Sequence, residues 1–234
     1  MKLLLIFLFS ISMSVAARAD LTICQQAVRF KTTNDIIIND IIIKIHGNKL
    51  RHEQLADQRS GNSGFILISD LTTLDSAMLI PKDKTVMKQS GAKIKSEVET
   101  FKKQLGEADA VLNTPPPPVD TGKFEKIGDY ETKIYSWIGP RGTTQTLWVA
   151  KDFPGYAAIK ADRDKIDEWE HSGVAKGMSP DLRLLPGMVV KTQTAVGGRQ
   201  DNGQLVTVTL VSVKIEPVNP SVFEVPVDYA DWKP

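Results

Sequence analysis

One cysteine, three histidines and almost no surplus charge leave this 234-residue chain few chemistries to choose from. Cys24 is the only thiol, so no disulfide can close within the chain and the fold must rest on its apolar core. A chain of this length can build such a core without staples. The histidines, His46, His52 and His171, form no H-x-x-x-H pair and stand near no second cysteine, so a zinc site is not expected. Glycine-rich phosphate loops are missing too. The segment VGGRQDNG lacks the Lys-Ser/Thr of a nucleotide loop and reads as a turn between strands. No G-x-S-x-G elbow occurs. No catalytic residue, metal or cofactor is therefore assigned, and the chain reads as a non-enzyme. A Glu125/Asp129 carboxylate pair is the residual hydrolase reading. Asp162, Asp164, Asp167 and Glu168 read as the solvated face of a helix.

Lysine and arginine total 29 against 28 acids. That balance gives no electrostatic case for nucleic acid or for an anionic membrane surface. Long apolar runs are absent after the first residues, so no transmembrane segment is expected. The start itself, MKLLLIFLFSISMSVAARA, has a positive residue, a short apolar stretch and a small-x-small ending at Ala17–Ala19. That order is the mark of a secretory signal peptide over 1–19, which predicts an exported, periplasmic or secreted product beginning at Asp20. Losing Lys2 and Arg18 would turn the formal net charge slightly negative.

What is present is mostly β. NDIIINDIIIKIHGNKLRHEQ carries two consecutive NDIII blocks and a Gly47-Asn48 turn, which predicts a hairpin pairing Ile45 with Leu50 and Lys44 with Arg51. GFILISD, SAMLI and TVMKQ continue the meander. The period then lengthens. Ile94, Val98, Phe101 and Leu105 recur at helical spacing in 91–110, giving an amphipathic helix that either covers the sheet or acts as a lid. Four prolines in NTPPPPVDTG (113–122) force an extended connector. Strands return at KFEKIG, YETKIYSWI and TTQTLWVAKD, followed by a helix from about Tyr156 to Trp169 and further strands. Asp152 is placed as that helix's N-cap. The tail EPVNPSVFEVPVDY has prolines that confine it to a sheet edge. Strands, helix, strands, helix, strands make an α+β design, one domain over 20–234 with both helices on one side of a curved antiparallel sheet.

A four-residue loop at Gly139–Gly142 would set Tyr135 opposite Thr146 and Lys133 opposite Trp148. Tyr135, Trp137, Trp148 and Ala150 would then share one face of the hairpin, with Ile134, Ile138, Leu147 and Val149 on the other. Both faces are apolar, so the hairpin is expected to be covered twice.

The motifs GNKLRHE, ILISDL, LWVAKDFPGY, LPGMVVKT, VTLVSVK and EPVNPSVFEVPVDY resemble an exported bacterial family, domain of unknown function 4412, akin to the LolA/LolB-like lipoprotein-carrier superfamily. That resemblance implies an unclosed antiparallel half-barrel with helices in or over its concave side. It also implies a cavity for lipid or lipoprotein acyl chains. On this reading Phe65, Tyr135, Trp137 and Trp148 form the cavity wall, and Ile94, Val98, Phe101 and Leu105 the lid. The competing reading is an envelope structural module with a filled core and a protein partner.

Overall fold

The structure, a computed structural model, describes residues 20–32, 35–56, 63–105, 116–139, 142–170, 179–196 and 204–233. At 30–32, 35, 98, 101–105, 196 and 204 it describes the backbone alone. The leader assignment over 1–19 and most of the tetraproline connector lie outside the described residues.

Among the described residues twelve strands form one sheet. In chain order they are β1 (Leu21–Thr32), β2 (Asp35–His46), β3 (Lys49–Gln54), β4 (Phe65–Asp70), β5 (Ser76–Ile80) and β6 (Thr85–Gln89). After helix α1 (Gly91–Leu105) come β7 (Val119–Ile127), β8 (Tyr130–Ile138) and β9 (Thr144–Ala150). After helix α2 (Tyr156–Glu170) come β10 (Met188–Val196), β11 (Gln204–Ile215) and the two-residue β12 (Ala230–Asp231). Across the sheet the order is β12-β6-β5-β4-β3-β2-β1-β11-β10-β9-β8-β7. Every pairing is antiparallel except β12 on β6, and the two end strands do not meet. The fold is an unclosed antiparallel half-barrel with α-helices, an α+β design.

The Gly47-Asn48 turn does what its sequence predicts. Gly47 takes a positive φ of 61°, open to glycine at no steric cost, and sets Ile45 opposite Leu50 and Lys44 opposite Arg51. Because a strand alternates faces, that register sends Ile43, Ile45 and Leu50 to one side of the sheet and Lys44 and Arg51 to the other.

The first side is the helix face. Ile159 and Ile166 of α2 are buried there against Leu21, Ile23, Ile43, Ile45, Leu50, Trp148, Ala150, Met188 and Val190. Each fully buried aliphatic side chain contributes about 1.5–3 kcal/mol. Lys165 donates to the Gly47 carbonyl at 3.0 Å, which ties the helix to the hairpin tip. Asp162 and Asp167 are not on the solvated face expected of them. Both are buried, with Arg163 facing Asp167 at 3.4 Å and Lys165 facing Asp162 at 3.6 Å. Nor does Asp152 cap the helix. Residues 151–155 form a turn region, with Gly155 at φ 75°, and Tyr156 opens α2 four residues past the expected cap.

The first helix leans over the same face farther along. Gln89 pairs with Ser76, Ser76 with Ser69 and Ser69 with Leu50, so all four share the helix face. Gln89 Nε2 donates to Glu97 Oε2 of α1 at 2.8 Å. Ser90 and Asp75 fix the start, since Ser90 Oγ accepts from the Lys93 N–H and Asp75 Oδ1 from the Gly91 N–H.

Opposite lies the tail face. Residues 216–229 cross it and bury Phe223 against Ile68, Ala77, Leu79 and Val86. Asp20 anchors this crossing. Its carboxylate accepts from the Val218 N–H at 2.7 Å and meets His46 Nδ1 at 2.8 Å, while its carbonyl accepts from the Glu216 N–H. Arg51 donates to the Val222 carbonyl at 2.7 Å. The segment EPVNPSVFEVPVDY, expected along a sheet edge, instead crosses this face because its apolar residues pack on it, and the edge pairing on β6 is made by the two residues of β12 that follow.

Candidate binding surface on the helix face

Register brings the candidate surface together across five strands. Ile43 stands opposite His52, His52 opposite Leu67, Leu67 opposite Met78 and Met78 opposite Met87. The adjacent row on the same face is Ile41, Gln54 and Phe65. Ile43 and Ile41 belong to the core beneath α2. Phe65, Leu67, Met78 and Met87 are half-buried, yet they join none of the packed clusters found among the described residues. Unbranched methionines re-pack readily, which suits a wall that must accept a variable occupant.

Two polar groups stand in this apolar field. His52, its ring centroid 5.9 Å from that of Phe65, has its pKa pushed below the usual histidine value by burial. Ser69 is two residues from Leu67 on the same face, and its hydroxyl is buried without a hydrogen-bond partner among the described residues. Such an orphan costs stability unless something else satisfies it. Helix α1 follows β6 directly, and its Ile94 is half-buried while its other described side chains after Gly91 are exposed. The side chains of Val98, Phe101 and Leu105, the rest of the expected lid stripe, lie outside the described residues.

Of the four aromatics expected to share a wall, Phe65 alone stands here. The β8–β9 hairpin closes one residue wider than predicted, because Gly139 N–H donates to the Thr143 carbonyl and Ile138 pairs with Thr144. Trp148 therefore faces Ile134, not Lys133, and Tyr135 faces Leu147. A one-residue slip exchanges the faces, so Tyr135 and Trp137 are on one side and Trp148 on the other. Trp148 is 6% exposed within the core under α2, its Nε1 donating to Glu125 Oε2 at 2.6 Å and Lys191 Nζ standing 4.2 Å from its ring centroid. Trp137 is 1% exposed, its ring lies across Gly139, and its Nε1 donates to the Pro116 carbonyl. The hairpin is covered twice, as expected. Leu147 and Val149 pack under Leu185, with Leu182 and Tyr135 beside them.

Of the Glu125/Asp129 pair, the Glu125 carboxylate accepts from the Trp148 indole. Among the described residues no three His, Cys, Asp or Glu side chains converge as a metal site, and no helix is long and apolar enough to cross a membrane. Sequence reasoning missed Leu67, Met78, Met87 and Ser69. The signal was available, since the GN turn fixes the β2–β3 register and alternation carries it strand by strand to β6.

Over residues 27–229 the sequence matches the family described as Domain of unknown function (DUF4412), and the chain belongs to that family. No curated protein matches it. Among solved structures it is similar to an uncharacterized conserved protein from Thermus thermophilus, at TM-score 0.51 and 6% identity, covering 92% of this chain and 90% of that one. Looser likenesses are a LolA superfamily protein from Nitrosomonas europaea (TM-score 0.35, 9% identity, 88% and 90% covered) and a DUF1329 family protein from Desulfovibrio piger (TM-score 0.38, 9% identity, 89% and 91% covered).

Proposed function

We propose that this protein is an exported, non-catalytic carrier that holds an apolar ligand, such as an acyl chain, between α1 and the β3–β6 part of the helix face. The observation that carries the reading is the row Phe65, Leu67, Met78 and Met87, half-buried and outside every packed cluster among the described residues. A site for an apolar ligand wants a wall of this kind with few polar groups, and His52 and Ser69 supply those. Helix α1 serves as the lid. It reaches the sheet through the Gln89–Glu97 hydrogen bond and the Asp75 contact to Gly91, which fix its base. The leader-like start and the near-neutral charge support export to the periplasm and binding by apolar contact rather than by charge.

Protein purified from the periplasm of its own cells should carry a lipid detectable by native mass spectrometry and organic extraction. Stripped protein should enhance the fluorescence of an apolar naphthylamine probe, and Met78→Asp should abolish that enhancement while the protein stays folded by circular dichroism. Stripped protein that leaves the probe dark, together with an empty native spectrum, overturns the reading. A protein partner captured instead by cross-linking from residues 113–122 would favour the envelope-module alternative.

A further inference from the structure

The tail face carries a second opening, about 450 Å³, whose lining includes Ser69 of the strand that separates it from the helix face. Phe223 of the tail closes one side, Ile68 and Ala77 form the floor, and Lys49, Asp70, Asp75 and Lys88 stand around it. Its volume falls within the range of ordinary small-molecule sites, about 300–1,000 Å³. Register places these groups on the face away from the helices. Lys49 is opposite Asp70, Arg51 opposite Ile68, Ile68 opposite Ala77 and Ala77 opposite Lys88.

The charges are not equivalent. Asp75 is occupied, since its two oxygens accept from the Gly91 N–H and the Thr73 hydroxyl. Lys88 is taken by Asp231 at 2.8 Å. Lys49 and Asp70 remain. They are direct cross-strand partners of opposite sign, yet among the described residues they close no ion pair with each other. Asp70 spends Oδ1 on the Thr72 and Thr73 N–H groups, and Oδ2 has no hydrogen-bond partner among the described residues. A purely anionic ligand would meet Asp70 and Asp75, and a purely cationic one would meet Lys49 and Lys88. A head group carrying both signs satisfies the pair, its anion on Lys49 and its ammonium on Asp70 Oδ2, while an apolar body enters between Ile68, Ala77 and Phe223.

We infer that the tail-face opening is a binding site for a single-chain zwitterionic amphiphile, with Lys49 and Asp70 reading the head and Ile68, Ala77 and Phe223 holding the chain. The site is independent of the proposed carrier wall, because the sheet lies between them.

The probe is lysophosphatidylethanolamine below its micelle concentration, titrated into the full mature chain and followed by amide NMR shifts. Shifts should centre on Ile68, Ala77 and Phe223. Lys49→Gln and Asp70→Asn should each weaken binding about tenfold, and lysophosphatidic acid and dodecylamine should bind the unaltered protein about tenfold more weakly than the zwitterion. Met78→Asp, which disables the helix-face wall, should leave this binding unchanged, so the two sites fail separately. Ala77→Trp should fill the opening and remove binding, with Lys49→Gln as the surface control should that variant not fold. Equal affinity of Lys49→Gln, Asp70→Asn and the unaltered protein overturns the inference, as do shifts confined to Leu67, Met78 and Met87.

Discussion

The two halves of the helix face are built from the same kinds of residue and end differently. Under α2, Leu21, Ile23, Ile45 and Leu50 are at most 1% exposed and pack directly on Ile159 and Ile166. Beside α1, Phe65, Leu67, Met78 and Met87 are apolar and half-buried but reach no cluster among the described residues. Interior packing at crystal-like density makes the first half a filled core. The second half joins no such core among the described residues. On the proposed reading, one sheet supplies a packed core at its centre and the carrier wall toward its β6 edge.

Removing side chains should expose that contrast most sharply. Leu50→Ala beneath α2 should cost about 2–5 kcal/mol in denaturant unfolding, because a cavity opens in a packed site. Met78→Ala beside α1 should cost about 1 kcal/mol or less in the stripped protein, since no filled space is lost. Similar losses for the two would mean that the wall is as well packed as the core. Asp20→Ala comes next, at about 1–3 kcal/mol, because it takes the acceptor from the half-buried Val218 N–H and the partner from His46. The tail should become the first site of limited proteolysis in that variant, while the α2 half retains its protection from hydrogen exchange.

Trp148→Phe keeps most of the ring's volume but forfeits the indole donor to Glu125 and weakens the contact with Lys191. A loss of about 1–2 kcal/mol with unchanged probe binding is expected, which would separate this core aromatic from the ligand wall. Reduced probe binding would return Trp148 to the wall.

His52 gives the smallest effect and a signed one. Burial lowers its folded pKa below the ordinary histidine value of 6.5, so at mildly acidic pH the unfolded chain binds more protons than the folded one. Stability is then full above pH 6.5 and falls as the pH drops from there through the lowered folded value. His52→Phe should flatten that part of the stability–pH curve. An unchanged slope would show that the half-buried wall is wet enough to hold a charged imidazole.

Much of this was legible in the chain. The Gly47-Asn48 turn, the strand alternation and the change to helical spacing at Ile94 are local signals, and each became the element it predicted. The β8–β9 register was not legible. Both faces of YETKIYSWI and TTQTLWVA are apolar, so a one-residue slip changes no local preference. The strand pairing, Ile138 on Thr144 with Gly139 N–H donating to the Thr143 carbonyl, set it and moved Trp148 away from Tyr135 and Trp137. Asp162 and Asp167 misled for a related reason. A carboxylate on an amphipathic helix reads as solvated unless a neighbour such as Arg163 or Lys165 is known to accompany it inward.

By itself the sequence determined the strands, both helices, the first hairpin's register and the absence of a catalytic motif, because turn chemistry and side-chain period act over a few residues. Tertiary structure alone decided that the tail crosses the sheet face opposite α2, and which apolar rows join a packed core among the described residues. An inward-pointing leucine or methionine is the same in sequence whether it meets another side chain or an empty space. Its partner arrives from a distant part of the chain, as Ile166 does for Ile45.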